Sequence, residues 1–318
     1  MTIAWVIGAG GLLGSALTRV LTRQRVTLFH PNEAFCWGDA VQLDAQIMGA
    51  VEAFAAVADN ALRWEIYWAA GIGTMSSAEA HLEPETSALR TLLNAVASHP
   101  QLKTKPGSLA FASSAGAVYA GSVSDVITES TPVAPTTAYA RVKLRQEDCI
   151  QKFVAKNENM IAVIARISTL YGPGQASGKQ QGLLAHIARS VLRNQPIQIY
   201  VPYDTIRDYI NADDAANAIV ATLSMGPSEC RLVIKIVASE VPATIAEIVS
   251  IFKRVARRTP RIVTSASRLS TLYTRRVQFK SLTASIFQHG PRTSLTVGIS
   301  QLMSAERVQY TQLRGPSD

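Results

Sequence analysis

The chain has 318 residues, of which 47% are hydrophobic and 17% charged, so it can bury a large core and does not have the composition of a disordered protein. No stretch approaches the roughly 18 uninterrupted apolar residues of a membrane span, and the first residues lack the basic start and cleavage site of a signal peptide. The three cysteines are scattered and suggest no disulfide framework. We therefore expect a cytoplasmic protein with no membrane association.

The net charge of +8 is concentrated towards the C-terminal end. Between positions 248 and 305 there is no acidic residue, and the basic residues are Lys253, Arg254, Arg257, Arg258, Arg261, Arg268, Arg275, Arg276, Lys280 and Arg292. These charges show no aromatic-basic interleaving pattern and no recognised nucleic-acid motif, so no nucleic-acid partner is expected. The alternatives are a surface that attracts a small anionic substrate, such as a nucleotide diphosphate, and a solvated helix face.

The first half of the chain alternates short apolar segments with helical patterns. The predicted strands are Ile3–Ile7, Val26–Phe29, Val41–Leu43, Glu65–Ala69, Ser108–Ala112 and Ile161–Ala165. The predicted helices are Leu12–Arg23, Ile47–Leu62, Glu83–Ser98 and Ala138–Lys156. This alternation predicts an α/β fold, a Rossmann-type doubly wound parallel sheet.

Beyond Tyr171 the alternation loosens and Gly-Pro punctuation becomes frequent. We therefore predict a smaller C-terminal substrate-binding lobe, formed mainly by residues 171–318. Residues 1–170 are predicted to form the dinucleotide-binding domain, together with an interleaved segment at about 200–222.

A glycine turn joins the first predicted strand to the first predicted helix. Gly8 permits a sharp turn of the backbone, and Gly14 lets the helix pack closely on the strand. Because Gly10 and Gly11 have no side chains, a pyrophosphate can approach the backbone between them. The N-terminus of the helix then faces the phosphates. The alternative is a structural turn with no ligand. The predicted cofactor contacts here are Gly8, Gly10, Gly11, Leu12, Leu13 and Gly14.

The end of the second predicted strand leaves the choice between NAD and NADP open. An acidic residue there would bind the ribose hydroxyls and repel a 2′-phosphate, but the strand is followed by His30. No arginine follows closely to bind a phosphate, and either Glu33 or His30 itself is left to contact the ribose. Asp44, after the third predicted strand, is a candidate partner for the adenine amino group. The tip of the fourth predicted strand, with Ala69, Ala70 and Gly71, is expected to border the cofactor.

Tyr139 and Lys143 lie four residues apart in a predicted helix and so share one face. A nearby ammonium and a nicotinamide charge would stabilise the phenolate and lower its pKa, so that the tyrosine can exchange a proton with a substrate oxygen. The spacing alone is common by chance. It gains specificity from Ser113 and Ser114, which follow the strand that precedes this helix and can donate a hydrogen bond to the same oxygen.

Taken together, these motifs resemble an extended short-chain dehydrogenase/reductase of the NAD-dependent epimerase/dehydratase family over essentially the whole chain. The matching stretches are Gly8-x-x-Gly11-x-x-Gly14, Ser113-Ser114-x-x-x-Val118-Tyr119, Tyr139-x-x-x-Lys143, Arg166 to Gly174, Arg207 to Asp214, and Thr293 to Ile299. The resemblance implies that Tyr139 is the general acid/base, that Lys143 lowers its pKa and binds the nicotinamide ribose, and that a serine orients the substrate. Ser114 is favoured, and Ser113 stays open.

The resemblance also implies a nucleotide-sugar substrate and a homodimer. Dehydratases of the family usually carry an Asp-Glu pair where this chain has Ala115-Gly116, so a 4-epimerase or 4-ketoreductase is expected. Reduction of a non-sugar carbonyl by NADPH and a non-catalytic dinucleotide sensor are the alternatives. The predicted substrate contacts are Ser113, Ser114, Arg166, Tyr171 and Arg207.

One of these contacts, Arg166, has a structural alternative. Arg207 can bind a diphosphate through paired N–H donors, whereas Arg166 either serves the substrate or pairs with Asp208 or Asp213. The family's usual asparagine upstream of Tyr171 is replaced by Ser168. We interpret Asp213 and Asp214 as a helix cap and a first-turn acid. The histidines and cysteines lack ligand spacing, so no metal site is predicted.

Overall fold

Strands and helices alternate through most of the chain in the computed structural model, which describes residues 1–174, 182–225, 230–264, 277–283 and 292–314. The strands are β1 Thr2–Ile7, β2 Thr27–Phe29, β3 Arg63–Trp68, β4 Gly107–Ser114, β5 Val126–Ile127, β6 Met160–Ile167, β7 Thr169–Tyr171, β8 Ile197–Ile199, β9 Ile206–Asn211, β10 Leu232–Val237, β11 Pro242–Thr244, β12 Ile262–Thr264 and β13 Gln278–Phe279. The helices are α1 Leu12–Arg23, α2 Ala40–Ala58, α3 Glu83–Ser98, α4 Pro100–Thr104, α5 Ala115–Val118, α6 Ala138–Lys156, α7 Leu183–Arg193, α8 Ala212–Ser224, α9 Ile245–Ala256 and α10 Leu295–Arg314, with a 3₁₀ turn at Glu79–His81.

Six strands form one parallel sheet in the order β10-β6-β4-β3-β1-β2. Alternate residues of β1 face opposite layers: Trp5 packs in the core with α2 and α3, while Ala4 packs in the core with α1 and α8. Helices therefore cover both faces, which explains why the strands carry few polar residues. The predicted doubly wound parallel sheet is confirmed.

The predicted strand Val41–Leu43 is wrong, because these residues lie in α2. The helix begins at Ala40, where the side chain of Asp39 accepts hydrogen bonds from the backbone N–H groups of Val41 and Gln42. Leu43 continues the buried stripe of α2, whereas Val41 is 82% exposed. Residues 41–43 resembled an alternating strand because they are the first turn of a helix with one buried face.

Helix α2 is also long and apolar enough to span a membrane, by length and composition alone. One third of its apolar window is buried inside the protein. The buried residues Leu43, Ile47, Val51 and Phe54 pack in the same core as β1 and β3. The helix is thus a layer of the doubly wound fold.

Helices α7, α9 and α10 pack together in the core of a separate lobe. The lobe is interleaved with the parallel sheet, because α8 packs on α1 and β10 pairs with β6 after the chain has already formed α7 and β8. Strand β9 leads into α8 and pairs with β7 and β11 in a separate three-stranded sheet. The six-stranded sheet thus includes residues 232–237, beyond the interleaved segment that the sequence suggested.

Candidate active site

The glycine turn after β1 brings three stretches of backbone very close together. Gly8 has a positive φ of 89°, and a Cβ atom there would lie 2.6 Å from the backbone nitrogen of Ala70. A Cβ atom at Gly14 would overlap the carbonyl oxygen of Gly8. The N–H of Gly11 donates to the Gly8 carbonyl oxygen at 2.9 Å and closes the turn. Glycine is therefore required at Gly8 and Gly14 by geometry.

The start of α1 fits the phosphate groups of a dinucleotide. Gly11 caps this helix without a side-chain hydrogen bond, and no acidic residue lies in the first turn. Gly10 is exposed, and no atom lies within 4 Å of the place where its Cβ would be. An open helix N-terminus with free space beside it binds anions. Leu12 is partly exposed here, while Leu13 is buried in the core, which leaves Leu13 only its backbone for a ligand.

The adenosine side of this site differs from expectation. His30 directly follows β2 and is exposed. Asp44 does not follow a strand but lies inside α2, where its carboxylate accepts a hydrogen bond from Thr91 at 2.8 Å. The expected position of Asp44 after a strand is therefore wrong, and its assignment to the adenine amino group stays a prediction.

Ser114, Tyr139 and Lys143 come together where β4 ends and α6 begins, and we call them the catalytic cluster. Thr137 caps α6 by accepting a hydrogen bond from the N–H of Ala140, which sets Tyr139 in the first turn of the helix. The side chain of Ser114 lies close enough to the phenol of Tyr139 to lower its pKa. Lys143 lies one turn further, with its Nζ 5.8 Å from the centroid of the Tyr139 ring. The Lys143 ammonium also donates to the Ala112 carbonyl oxygen at 3.4 Å.

The pKa values of this cluster are set first by burial. Burial and then the negative charge of Glu85 raise the pKa of Tyr139, and the hydrogen bond from Ser114 acts in the opposite direction. Burial lowers the pKa of Lys143, against the raising effects of Glu85 and Glu147. The expected lowering of the Tyr139 pKa is therefore not a property of these side chains by themselves. A positive charge beside the phenol would act against the effects of burial and Glu85.

Glu85 is the residue near this cluster that sequence reasoning missed. It lies in the first turn of α3 but is only 6% exposed, and both Tyr139 and Lys143 experience its charge. An acidic residue in a first turn is common on solvated helices, where it favours the helix dipole. The sequence therefore held no signal that this carboxylate is buried.

A second cluster adjoins the first, and we call it the support cluster: Ser113, Tyr119, Glu147 and Arg166. Ser113 donates to Glu147 at 2.6 Å, and Arg166 binds both oxygens of Glu147, at 3.1 and 2.7 Å. Arg166 also donates to the Tyr119 hydroxyl at 2.5 Å. These contacts direct the Ser113 hydroxyl away from Tyr139. They also pair Arg166 with Glu147 rather than with Asp208 or Asp213.

The sequence of this chain matches one family over most of its length. Residues 4–234 match the NAD dependent epimerase/dehydratase family. The chain belongs to this family. Its Rossmann-type sheet and glycine turn, described above, are the parts of the fold in which such proteins hold a dinucleotide.

Curated relatives match this chain over a shorter region. A dTDP-L-rhamnose 4-epimerase of Burkholderia thailandensis is 30% identical over 105 residues, which are 33% of this chain and 29% of the relative. A dTDP-4-dehydro-6-deoxyglucose reductase of Escherichia coli is 32% identical over 113 residues, which are 36% of this chain and 35% of the relative. The match therefore spans about a third of each relative.

Solved structures resemble the whole chain. A UDP-glucose 4-epimerase of Thermus thermophilus, solved in complex with NAD, has a TM-score of 0.78 at 18% identity. The alignment covers 96% of this chain and 99% of the epimerase. At this identity the similarity establishes the fold.

Two of the predicted substrate contacts, Tyr171 and Arg207, contact other parts of the protein. Tyr171 is buried in the lobe core, against Gly298 of α10. Arg207 is partly exposed on β9 and donates to the carbonyl oxygen of Ile206 at 2.9 Å. The neighbouring Asp208 is buried and accepts hydrogen bonds from Ser168 and Ser239. Asp208 thus links β9 to the segments that follow β6 and β10.

The start of α8 corrects the predicted roles of Asp213 and Asp214. The cap is Asn211, whose side chain accepts from the N–H of Asp213. Asp213 pairs with Arg19 of α1 at 2.5 Å and thereby fastens α8 to the helix after the glycine turn. Both aspartates lie in the first turn, where a negative charge favours the helix dipole. The described residues include no group of three or more histidine, cysteine or acidic side chains that could hold a metal ion.

Proposed function

We propose that this chain is an NAD(P)-dependent oxidoreductase that acts at a sugar carbon of a nucleotide-activated sugar, as a 4-epimerase or a 4-ketoreductase. One observation carries the proposal: Tyr139 and Lys143 lie on successive turns of α6, with the Lys143 Nζ 5.8 Å from the centroid of the Tyr139 ring, beside Ser114 at the end of β4. The glycine turn with an open helix N-terminus supplies a place for the dinucleotide. When bound, the nicotinamide accepts or donates a hydride, and its oxidised ring carries positive charge.

The side chains of the catalytic cluster carry the proton chemistry. Tyr139 accepts a proton from a substrate hydroxyl or returns one to a carbonyl, while Ser114 donates a hydrogen bond to the same substrate oxygen. The ammonium of Lys143 stabilises the phenolate of Tyr139 and binds the nicotinamide ribose. Positive charge beside the phenol opposes the effects of burial and Glu85 on its pKa.

The nucleotide-sugar substrate is supported by the two curated relatives, both of which are named for dTDP-sugar reactions. The partly exposed guanidinium of Arg207 provides paired donors for a diphosphate, and the basic region after position 248 attracts anions. Dehydration is disfavoured because Ala115 and Gly116 offer no acid or base beside Ser114.

Cofactor and substrate class can be tested by thermal shift. NAD(H) and NADP(H) are added separately, and then dTDP and UDP are added to the dinucleotide-loaded protein. Tightly retained NAD favours a 4-epimerase, and an empty site that prefers NADPH favours a 4-ketoreductase. If dinucleotides raise the melting temperature and both nucleoside diphosphates fail to, reduction of a non-sugar carbonyl replaces the proposal.

The catalytic assignment is tested with Tyr139→Phe. We expect turnover of dTDP- or UDP-sugars to fall by at least about 10³-fold, because the proton acceptor is lost, with dinucleotide affinity unchanged. Unchanged turnover would contradict the mechanism. We further propose that the enzyme is a cytoplasmic homodimer, and light scattering of the purified chain tests the dimer.

A further inference from the structure

Glu85 has a carboxylate that points away from water into the protein. It lies in the first turn of α3, and its Oε1 accepts hydrogen bonds from the backbone N–H groups of Ile72 at 2.7 Å and Gly73 at 3.0 Å. Two donors directed at one oxygen stabilise the negative charge of a carboxylate. The residues that donate belong to the segment after β3, on the side of the sheet where the dinucleotide is expected.

This segment is packed directly against the catalytic tyrosine. A Cβ atom at Gly73 would lie 3.0 Å from two ring carbons of Tyr139 and would overlap the side chain of Leu82. Two residues on, the sulfur of Met75 lies 3.9 Å from the hydroxyl of Thr137, the residue that caps α6. The turn at Gly73 therefore borders the ring of Tyr139 so closely that no side chain fits between them.

The charge of Glu85 reaches the two catalytic groups that ionise. It raises the pKa of Tyr139, in addition to burial, and it opposes the lowering of the Lys143 pKa by burial. The other carboxylate near Lys143 is Glu147, which is bound by both Arg166 and Ser113. Glu85 differs because its hydrogen bonds come from uncharged backbone donors.

We propose that Glu85 is a positioning residue of this active site: its carboxylate holds the Ile72–Gly73 turn against the ring of Tyr139 and places a fixed negative charge beside the Tyr139–Lys143 pair. The inference rests on the proposed acid/base function of Tyr139. The two parts of the role are separable. Glu85→Gln removes the charge and keeps an acceptor oxygen for the turn, whereas Glu85→Ala removes both.

The effect of the negative charge of Glu85 is tested without measuring turnover, by following the ionisation of Lys143. The carbon-13 shift of its Cε is titrated by NMR in the full chain, with the signal assigned by Lys143→Arg. We expect the Lys143 pKa to fall in Glu85→Gln by about one unit, because a nearby negative charge no longer stabilises the ammonium. Glu83→Gln is the matched control, since Glu83 lies in the same turn of α3 but is exposed. An unchanged Lys143 titration in Glu85→Gln would overturn the proposal.

The kinetic consequence is a shift of the pH profile. Oxidation of a sugar hydroxyl requires ionised Tyr139 and protonated Lys143, and Glu85 raises both pKa values. Both limbs of the kcat profile of Glu85→Gln should therefore move to lower pH, with kcat at its own optimum within about 10-fold of the parent. A profile that does not move contradicts the role of the charge.

The role of Glu85 in holding the Ile72–Gly73 turn is tested by comparing Glu85→Ala with Glu85→Gln. Glu85→Ala should lose about 10²-fold or more in kcat at its own optimum, because the Tyr139 ring is no longer held in place. The KM should change little. Equal losses in Glu85→Ala and Glu85→Gln would overturn this part. If the Lys143 titration shifts as expected but the unmodified chain turns over no nucleotide sugar, the proposed function fails and the effect of the Glu85 charge stands.

Discussion

The catalytic cluster and the support cluster each combine a serine of β4 with a residue of α6, but they differ in how their charges are paired. Ser114 and Ser113 are consecutive residues of β4, and each contacts a residue of α6: Tyr139 in the first case and Glu147 in the second. In the support cluster, Arg166 binds both oxygens of Glu147. In the catalytic cluster, by contrast, Lys143 donates to a single carbonyl oxygen at 3.4 Å.

We expect this difference to separate a structural role from a reactive one. A buried arginine–carboxylate pair with full hydrogen bonding is rigid, and neither group is free to exchange a proton. A buried ammonium with one long hydrogen bond costs stability but remains available to stabilise a phenolate. Substitutions in the support cluster should therefore mainly lower stability. Substitutions in the catalytic cluster should mainly lower turnover.

The largest expected effect on stability comes from the support cluster. Arg166→Met leaves the carboxylate of Glu147 buried without its cation, so the free energy of unfolding should fall by about 3–5 kcal/mol. Denaturant unfolding of the apoprotein measures the loss. The double variant Arg166→Met with Glu147→Leu is the control and should recover most of it. A loss below about 1 kcal/mol in the single variant would show that the pair is not structural.

The two serines provide the sharpest test of the comparison. Ser114→Ala should lower kcat by about 10²-fold, because it removes the hydrogen bond to the reacting oxygen, with little change in stability. Ser113→Ala should cost about 1 kcal/mol of stability and leave kcat within a few-fold, because Arg166 still binds Glu147. Each variant serves as the control for the other. A larger loss of turnover in Ser113→Ala would reverse the assignment.

The smallest expected effect is a gain in stability. Because burial lowers the pKa of Lys143, its charged form is disfavoured in the folded protein. Lys143→Met should therefore stabilise the apoprotein by about 1 kcal/mol while abolishing turnover. Unfolding of the apoprotein near neutral pH measures the difference. A marked loss of stability would contradict it.

The same pKa predicts how this difference depends on pH. Below the lowered pKa, Lys143 is charged in both states and its burial destabilises the folded state. As the pH rises from the lowered pKa towards the ordinary value of 10.5, the folded state loses the proton first. The stability of the unmodified chain should therefore approach that of Lys143→Met over this range. A constant difference would show that Lys143 does not titrate with a lowered pKa.

Features with a strong local pattern could be predicted from the sequence. The glycine turn, the helix of Tyr139 and Lys143 and the strands of the parallel sheet up to β6 follow from the apolar periodicity and glycine spacing. The segment at Val41 was predicted wrongly, because three residues are too few to distinguish a strand from the start of a capped helix. Here the hydrogen bonds of Asp39 decide the outcome.

Long-range contacts could not be predicted in this way. The partner of Arg166 is Glu147, 19 residues earlier on a neighbouring helix, although the sequence suggested Asp208 or Asp213. The burial of Glu85 depends on how the turn after β3 packs against α3, which no local sequence pattern encodes. In both cases the function of a charged residue is decided by tertiary packing rather than by its neighbours in the chain.

The late pairing of β10 has a consequence for how the protein is made. During translation the N-terminal strands emerge first, but β6 remains an open sheet edge until residues 232–237 have been synthesised. The face of α1 that packs on α8 likewise has no cover until α8 follows. A nascent chain that stops near residue 170 therefore exposes an unpaired strand and an apolar helix face together. Such a fragment should bind chaperones or aggregate, although it contains both the glycine turn and the catalytic cluster.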